Sequence, residues 1–257
     1  MGTELPNLTS LAAGFALVSA RVTGAFYFIP FPGPARGATM AKVVMILAIT
    51  FSLYPLWPLV DPNGPLLGLT IFGILKEAAV GSSLGLVVAL AGECFSFCFH
   101  LLGLQAGYSF ASTIDPTSQA DSTVLESLGH LAGGLLFFTT GLHYQVIRAF
   151  AISLEMHPAG TWTLGAAMIP AVLSLFQAML SAGVRLALPV MASLVLIDLA
   201  LALASRITSH LQLVMLAFPL KMITSLLLIV WLLQFLPAIF TDLSTRGLAV
   251  IRHAMML

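Results

Sequence analysis

Charge is what this sequence has least of. Ten basic and ten acidic side chains make up 8% of its 257 residues, against roughly 25% in soluble domains. Hydrophobic residues account for 59%, and the mean hydropathy is +1.05. A soluble globular class is excluded, and a membrane class follows. The formal net charge is zero, which argues against nucleic acid as a partner. Nor is there a polybasic cluster to recruit the chain to a lipid surface.

Cysteine is almost absent as well. Cys94 and Cys98 stand alone in the apolar run ECFSFCFH, which rules out a disulfide framework and a redox CxxC. Their spacing of four puts both on one helix face, and His100 is near, but further clustered metal ligands are missing. They read as packing cysteines, with no metal or other cofactor expected. The histidines at 100, 130, 143, 157, 210 and 253 are scattered. No H-E-x-x-H pair, G-x-S-x-G elbow or Walker loop occurs, so acyl and phosphate chemistry have nothing to stand on. No enzyme activity is expected. Met1 to Thr9 carries Glu4 and no basic residue, so no removable signal peptide is expected either.

What the chain has is length of apolar sequence. Apolar segments cover 8–30, 38–60, 66–104, 128–154, 162–204 and 211–240, several of them beyond the ~20 residues that span a bilayer. The fold class is therefore an all-α membrane protein, since barrel strands would alternate in short units. The 66–104 and 162–204 runs are each either a tight hairpin or one long, kinked helix. Gly81, Gly85, Gly92 and Gly103 in the first, and Pro189 in the second, are the natural break points.

The links differ in character. FPGPARG (31–37) is a Pro/Gly turn with Arg36, followed by Lys42, whereas DPNGP (61–65) has no cation. Counting Arg21, Arg36 and Lys42 as cytoplasmic puts 61–65 on the opposite side and the N-terminus outside. SRITSH (205–210) is a short turn between two apolar arms, and the tail from Asp242 carries Arg246, Arg252 and His253.

Charges nevertheless lie deep in the apolar runs: Glu77, Glu93, Asp198 and Lys221. Each costs roughly 2.5–3.5 kcal/mol at the centre of a membrane helix even on lenient insertion scales. They face a protein interior or a wet cavity, as structural ion pairs or as the wall of a conduit. Lys76 and Glu77 are adjacent and point to different faces, so each needs a partner elsewhere. If the arms around SRITSH pack as a hairpin, Asp198 is level with Lys221, and Arg206 lies at the turn between them.

The link 105–126 is long, polar and acidic, with no Lys or Arg, where most links in compact domains are short. Gly103 and Gly107 permit sharp reversals, Tyr108 and Phe110 supply bulk, and Asp115-Pro116 sets a turn or a helix start. Asp121 and Glu126 suit the start of the next helix. Either it is a solvated loop, or it is folded into a channel as a plug.

The order of these pieces resembles the FliR family of the flagellar type III export gate. SARVTGAFYFIPFPG, ILKEAAVGSSLG, LQAGYSFASTIDP, GLHYQVIRAFAIS and the pair ALPVMASLVLIDLALALASR and FPLKMITSLLLIVW are similar to successive family segments. The injectisome has a homologous subunit. A secondary transporter of a small solute is the rival from another class, but no inverted repeat or pair of broken helices is visible.

The resemblance implies long kinked helices in tilted hairpins. Residues 1–160 would be FliP-like, with a central plug loop at about 105–126, and 161–257 would be a FliQ-like hairpin and tail. It implies a closed channel built with FliP-like and FliQ-like subunits, served by FlhB-like and FlhA-like export proteins. The channel would pass unfolded secreted proteins across the bacterial inner membrane, within the flagellar basal body. Gln105, Gly107, Tyr108, Phe110, Asp115 and Pro116 would form plug or channel, and Glu77, Asp198, Arg206 and Lys221 would be buried charges contacting other helices. The chain itself would hydrolyse nothing.

Overall fold

The computed structural model describes residues 8–29, 35–58, 71–108, 124–161, 167–207 and 213–255. Every regular element among them is helical. In chain order they are α1 (Leu8–Phe28), α2 (Ala35–Ser52), a 3-10 turn (Tyr54–Leu56), α3 (Ile71–Ala106), α4 (Val124–Thr139), α5 (Leu142–Met156), α6 (Met168–Ile207), α7 (Leu213–Leu233) and α8 (Leu236–Ala254).

Both long apolar runs resolve as single helices. α3 has 36 residues and α6 has 40, about 54 and 60 Å at 1.5 Å per residue, against a hydrocarbon core of about 30 Å. The glycines of α3 do not break it. Pro189 stays inside α6, with the Ser193 hydroxyl donating to the Pro189 carbonyl at 2.9 Å. The breaks fall elsewhere. α4 and α5 part at Gly141, where φ is +71°, a conformation that favours glycine. The run 211–240 divides between Leu233 and Leu236. Among the described residues, three helices could cross a membrane by length and composition, or up to five if each interrupted pair counts as one span.

The chain gathers into two compact units. The first comprises 1–90, 137–175 and 244–257, and buries Leu17, Val22, Phe26, Leu84, Phe150 and Ile251. Phe15, Phe51, Tyr54 and Trp57 form an aromatic cluster there, anchored by the Trp57 indole donating to the Thr50 carbonyl at 3.0 Å. The second comprises 91–136 and 176–243, and buries Cys94, Cys98, Phe99, Leu102, Val190 and Leu194. In it Phe95 stacks on Phe240 with ring centroids 6.0 Å apart.

Apolar surface remains exposed where soluble proteins would hide it. Only 22% of the most apolar window of α6 is buried, leaving Leu173, Leu188, Leu196 and Leu199 uncovered. In water such a flank would drive association or aggregation. Lipid or other subunits must cover it.

Candidate functional site

Two charge clusters stand out, one in each unit. In the first unit Arg21 occupies the middle of α1 and is fully buried. Its Nε donates to Glu77 Oε2 at 2.6 Å. Nη1 donates to the carbonyl and hydroxyl of Ser153 at 3.1 and 2.9 Å, and Nη1 and Nη2 both donate to the His157 carbonyl at 3.2 Å. Glu77 Oε1 accepts from the Gly160 amide at 2.8 Å. The desolvation that makes such a pair costly is offset only when the remaining donors and lone pairs are met. Here they are, and α1, α3, α5 and the turn after α5 are tied at one point.

Small residues make this approach possible. A Cβ at Gly81 would collide with the Arg21 carbonyl, and one at Gly24 with the Ala78 carbonyl. The backbones of α1 and α3 therefore touch, as at small-residue crossings in membrane proteins. Arg21 is thus a buried structural cation inside α1, and its place in the positive-inside count is lost, because its charge is matched within the protein. Arg36 and Lys42 lie within α2. Lys76 turns away from Glu77, its Nζ lying 4.6 Å from the centre of the Phe72 ring.

In the second unit Lys221 Nζ lies 2.9 Å from Asp198 Oδ2. Gln105 Nε2 donates to the same oxygen at 3.4 Å. The lysine side chain is 14% exposed and the aspartate 43%, so this pair is half-wet where Arg21–Glu77 is dry. α3 ends beside it in a Schellman motif. Gly107 takes φ +89°, the Tyr108 amide donates to Gly103 at 3.0 Å and the Gly107 amide to Leu104 at 3.3 Å. The Tyr108 hydroxyl donates to the Met222 carbonyl at 3.1 Å, fixing where the following segment leaves the helix.

Arg206 is placed differently from the burial expected of it. It is exposed in the last turn of α6, where a cation suits the helix dipole. Phe110, Asp115 and Pro116 lie outside the described residues.

A further set was not anticipated. His100 Nδ1 meets Glu126 Oε2 at 3.1 Å, and His130 Nδ1 lies 2.8 Å from the Ser96 hydroxyl and 3.5 Å from Glu93. These contacts join α3 to α4, and Gly129 and Gly133 allow the close crossing, since a Cβ at either would press on the α3 backbone. The acidic first turn of α4 and the i, i+7 placement of Glu93 and His100 carried a signal, but only with the α3–α4 pairing in hand. Cys94 and Cys98 are buried, and His100 is engaged by Glu126. Among the described residues no cluster of metal-ligand side chains occurs.

The fold and its paired charges define an all-α integral membrane protein. Residues 12–247 match the family described as bacterial export proteins, family 1, and the chain belongs to that family. Several of the relatives it resembles are named as flagellar biosynthetic proteins. It is 30% identical to the flagellar biosynthetic protein FliR of Caulobacter vibrioides, over 88% of this chain and 91% of that one. With FliR of Escherichia coli K12 the identity is 28%, over 70% and 69%. The surface presentation of antigens protein SpaR of Salmonella typhimurium is 24% identical over 89% of this chain and 85% of its own. The chain is a membrane component of the flagellar export apparatus.

Proposed function

We propose that this chain is a subunit of the closed flagellar gate through which unfolded proteins cross the bacterial inner membrane. It assembles there with FliP-like and FliQ-like subunits and is served by FlhB-like and FlhA-like proteins. The observation that carries the reading is the family match along nearly the whole chain. Two structural features support it: helices much longer than a bilayer is thick, and an α6 flank that needs covering. No step of this role requires bond chemistry from the chain. Substrate movement draws on energy supplied elsewhere, and this subunit contributes wall and closure.

Within the gate, residues 1–160 act as the FliP-like part and 161–257 as the FliQ-like hairpin and tail. The 105–126 segment contributes to the plug. The Gly107 turn and the Tyr108–Met222 hydrogen bond give it a fixed point of departure. Gln105, Asp198 and Lys221 stand at its base, and Glu77 holds the first unit together.

Co-expression with and without the FliP-like and FliQ-like subunits of the same genome tests the assembly. The expected result is one stable complex of all three and a lone chain that is degraded or aggregates. A monodisperse lone chain with no affinity for them would point to the transporter reading. Restoration of motility in a flagellar deletion strain, but not of secretion in an injectisome deletion strain, separates the flagellar from the virulence role.

A further inference from the structure

Among the described helices α5 and α8 have the most clearly polar faces, and in the first unit a cavity of about 530 Å³ opens between them. Gln145, Arg148 and Ile152 line it from α5, and Thr245, Leu248 and Arg252 from α8. Both sets follow i, i+3, i+7 spacing, so each is a single helix face. The walls are held at one end by a hydrogen bond between His157 Nε2 and the Met255 carbonyl at 3.0 Å. The floor is apolar, with Ala149 and Leu248 buried.

No carboxylate lines this cavity. Among the described residues, neither Arg148 nor Arg252 has an ion-pair or hydrogen-bond partner, in contrast to the saturated Arg21. Two guanidinium groups, an amide and a hydroxyl around an apolar floor make a receptor for a phosphate ester. Guanidinium donors match phosphate oxygens in pairs, and the volume falls in the range of ordinary ligand sites. The chain is an integral membrane protein, and a polar-faced helix carrying cations belongs at the bilayer surface.

We propose that the α5–α8 groove binds the phosphate of an anionic phospholipid headgroup, with Arg148 and Arg252 clamping the phosphate and the Ile152–Leu248 floor taking the glycerol end. Basic pockets between helices bind headgroups by the same physics. The bound lipid would fix the C-terminal helix against α5 and set the depth of this unit in the membrane.

The test uses the detergent-solubilised full chain, alone or in the assembly in which it purifies. It is titrated with short-chain phosphatidylglycerol, short-chain phosphatidylcholine and inorganic phosphate. Saturable phosphatidylglycerol binding is expected, with weaker binding of the zwitterionic lipid. The variant R148Q/R252Q is expected to bind phosphatidylglycerol about thirtyfold more weakly, the effect of two cations at a lipid surface. Arg246→Gln, which removes one charge from α8 outside the cavity, should leave it unchanged, and R148K/R252K should keep part of it. Equal binding by wild type and R148Q/R252Q overturns the site. Inorganic phosphate binding as tightly as the lipid, with no gain from the glycerol end, overturns the lipid as its source.

Discussion

Arg21 and Glu77 meet at 2.6 Å with side chains 0% and 1% exposed, 56 residues apart in sequence and joined through no loop they share. Removing one partner leaves the other charge buried and unmatched, at a cost of about 3–5 kcal/mol. Arg21→Ala and Glu77→Gln are therefore each expected to abolish accumulation of the chain in membranes. R21M/E77L, which removes both charges and keeps the volume, should recover much of the loss, although the Ser153, His157 and Gly160 backbone groups then lose their partner. Quantitative immunoblotting of membrane fractions reads the outcome. Single variants that accumulate like wild type would remove the pair from the stability of the fold.

The same contact depends on Gly81. A side chain there collides with the Arg21 carbonyl, which is backbone and cannot swing aside. Gly81→Val should part α1 from α3 and be at least as damaging as Arg21→Ala. Gly92→Val is the comparison, since the α3 backbone there meets Gly133 of α4 instead of α1. Protease resistance of the detergent-solubilised protein ranks the three. A Gly81→Val protein as resistant as wild type would show that the helices can separate without loss.

The class of the fold was legible because composition alone forbids a soluble chain. Whether 66–104 and 162–204 were hairpins was not. Glycine breaks a helix only where water or a turn can take its backbone groups, and α3 covers its glycines with neighbouring helices instead. Asp198 and Lys221 could be paired from sequence because a six-residue turn sets the register of their arms. Arg21 and Glu77 could not, since no periodicity links α1 to α3. Arg148 and Arg252 come together only through the packing of α5 against α8, which no local pattern in the sequence encodes.

Exposure separates the second pair from the first. Asp198 is 43% exposed, so water partly replaces its partner when Lys221 is removed. Lys221→Ala should cost the isolated chain about 1 kcal/mol, the range of half-wet pairs, and not the several kcal/mol of a dry one. A larger defect confined to the assembled complex would mean that another subunit seals this side. The swap D198K/K221D is expected to restore whatever the single variants lose, read as recovery of complex on size-exclusion chromatography. Failure of the swap beside an intact Lys221→Ala complex would assign the two charges to separate partners.

The strongest test of closure lies where α3 ends. Gly107 holds φ +89°, where a residue with a side chain costs about 1–2 kcal/mol, and a Cβ there would approach the Phe218 ring at 3.0 Å. Gly107→Ala should therefore redirect the segment beyond Tyr108 without unfolding α3, whose own hydrogen bonds stop at that turn. If this segment plugs the channel, Gly107→Ala, Phe110→Ala and deletion of 106–112 should all raise ion leakage across the inner membrane, the deletion most. Tyr108→Phe, which loses only the hydrogen bond to Met222, should raise it least. Membrane potential measured with a voltage-sensitive dye, in cells shown to contain the assembled complex, gives the ranking. Wild-type potential in all four variants would remove closure from this segment and leave it a solvated link.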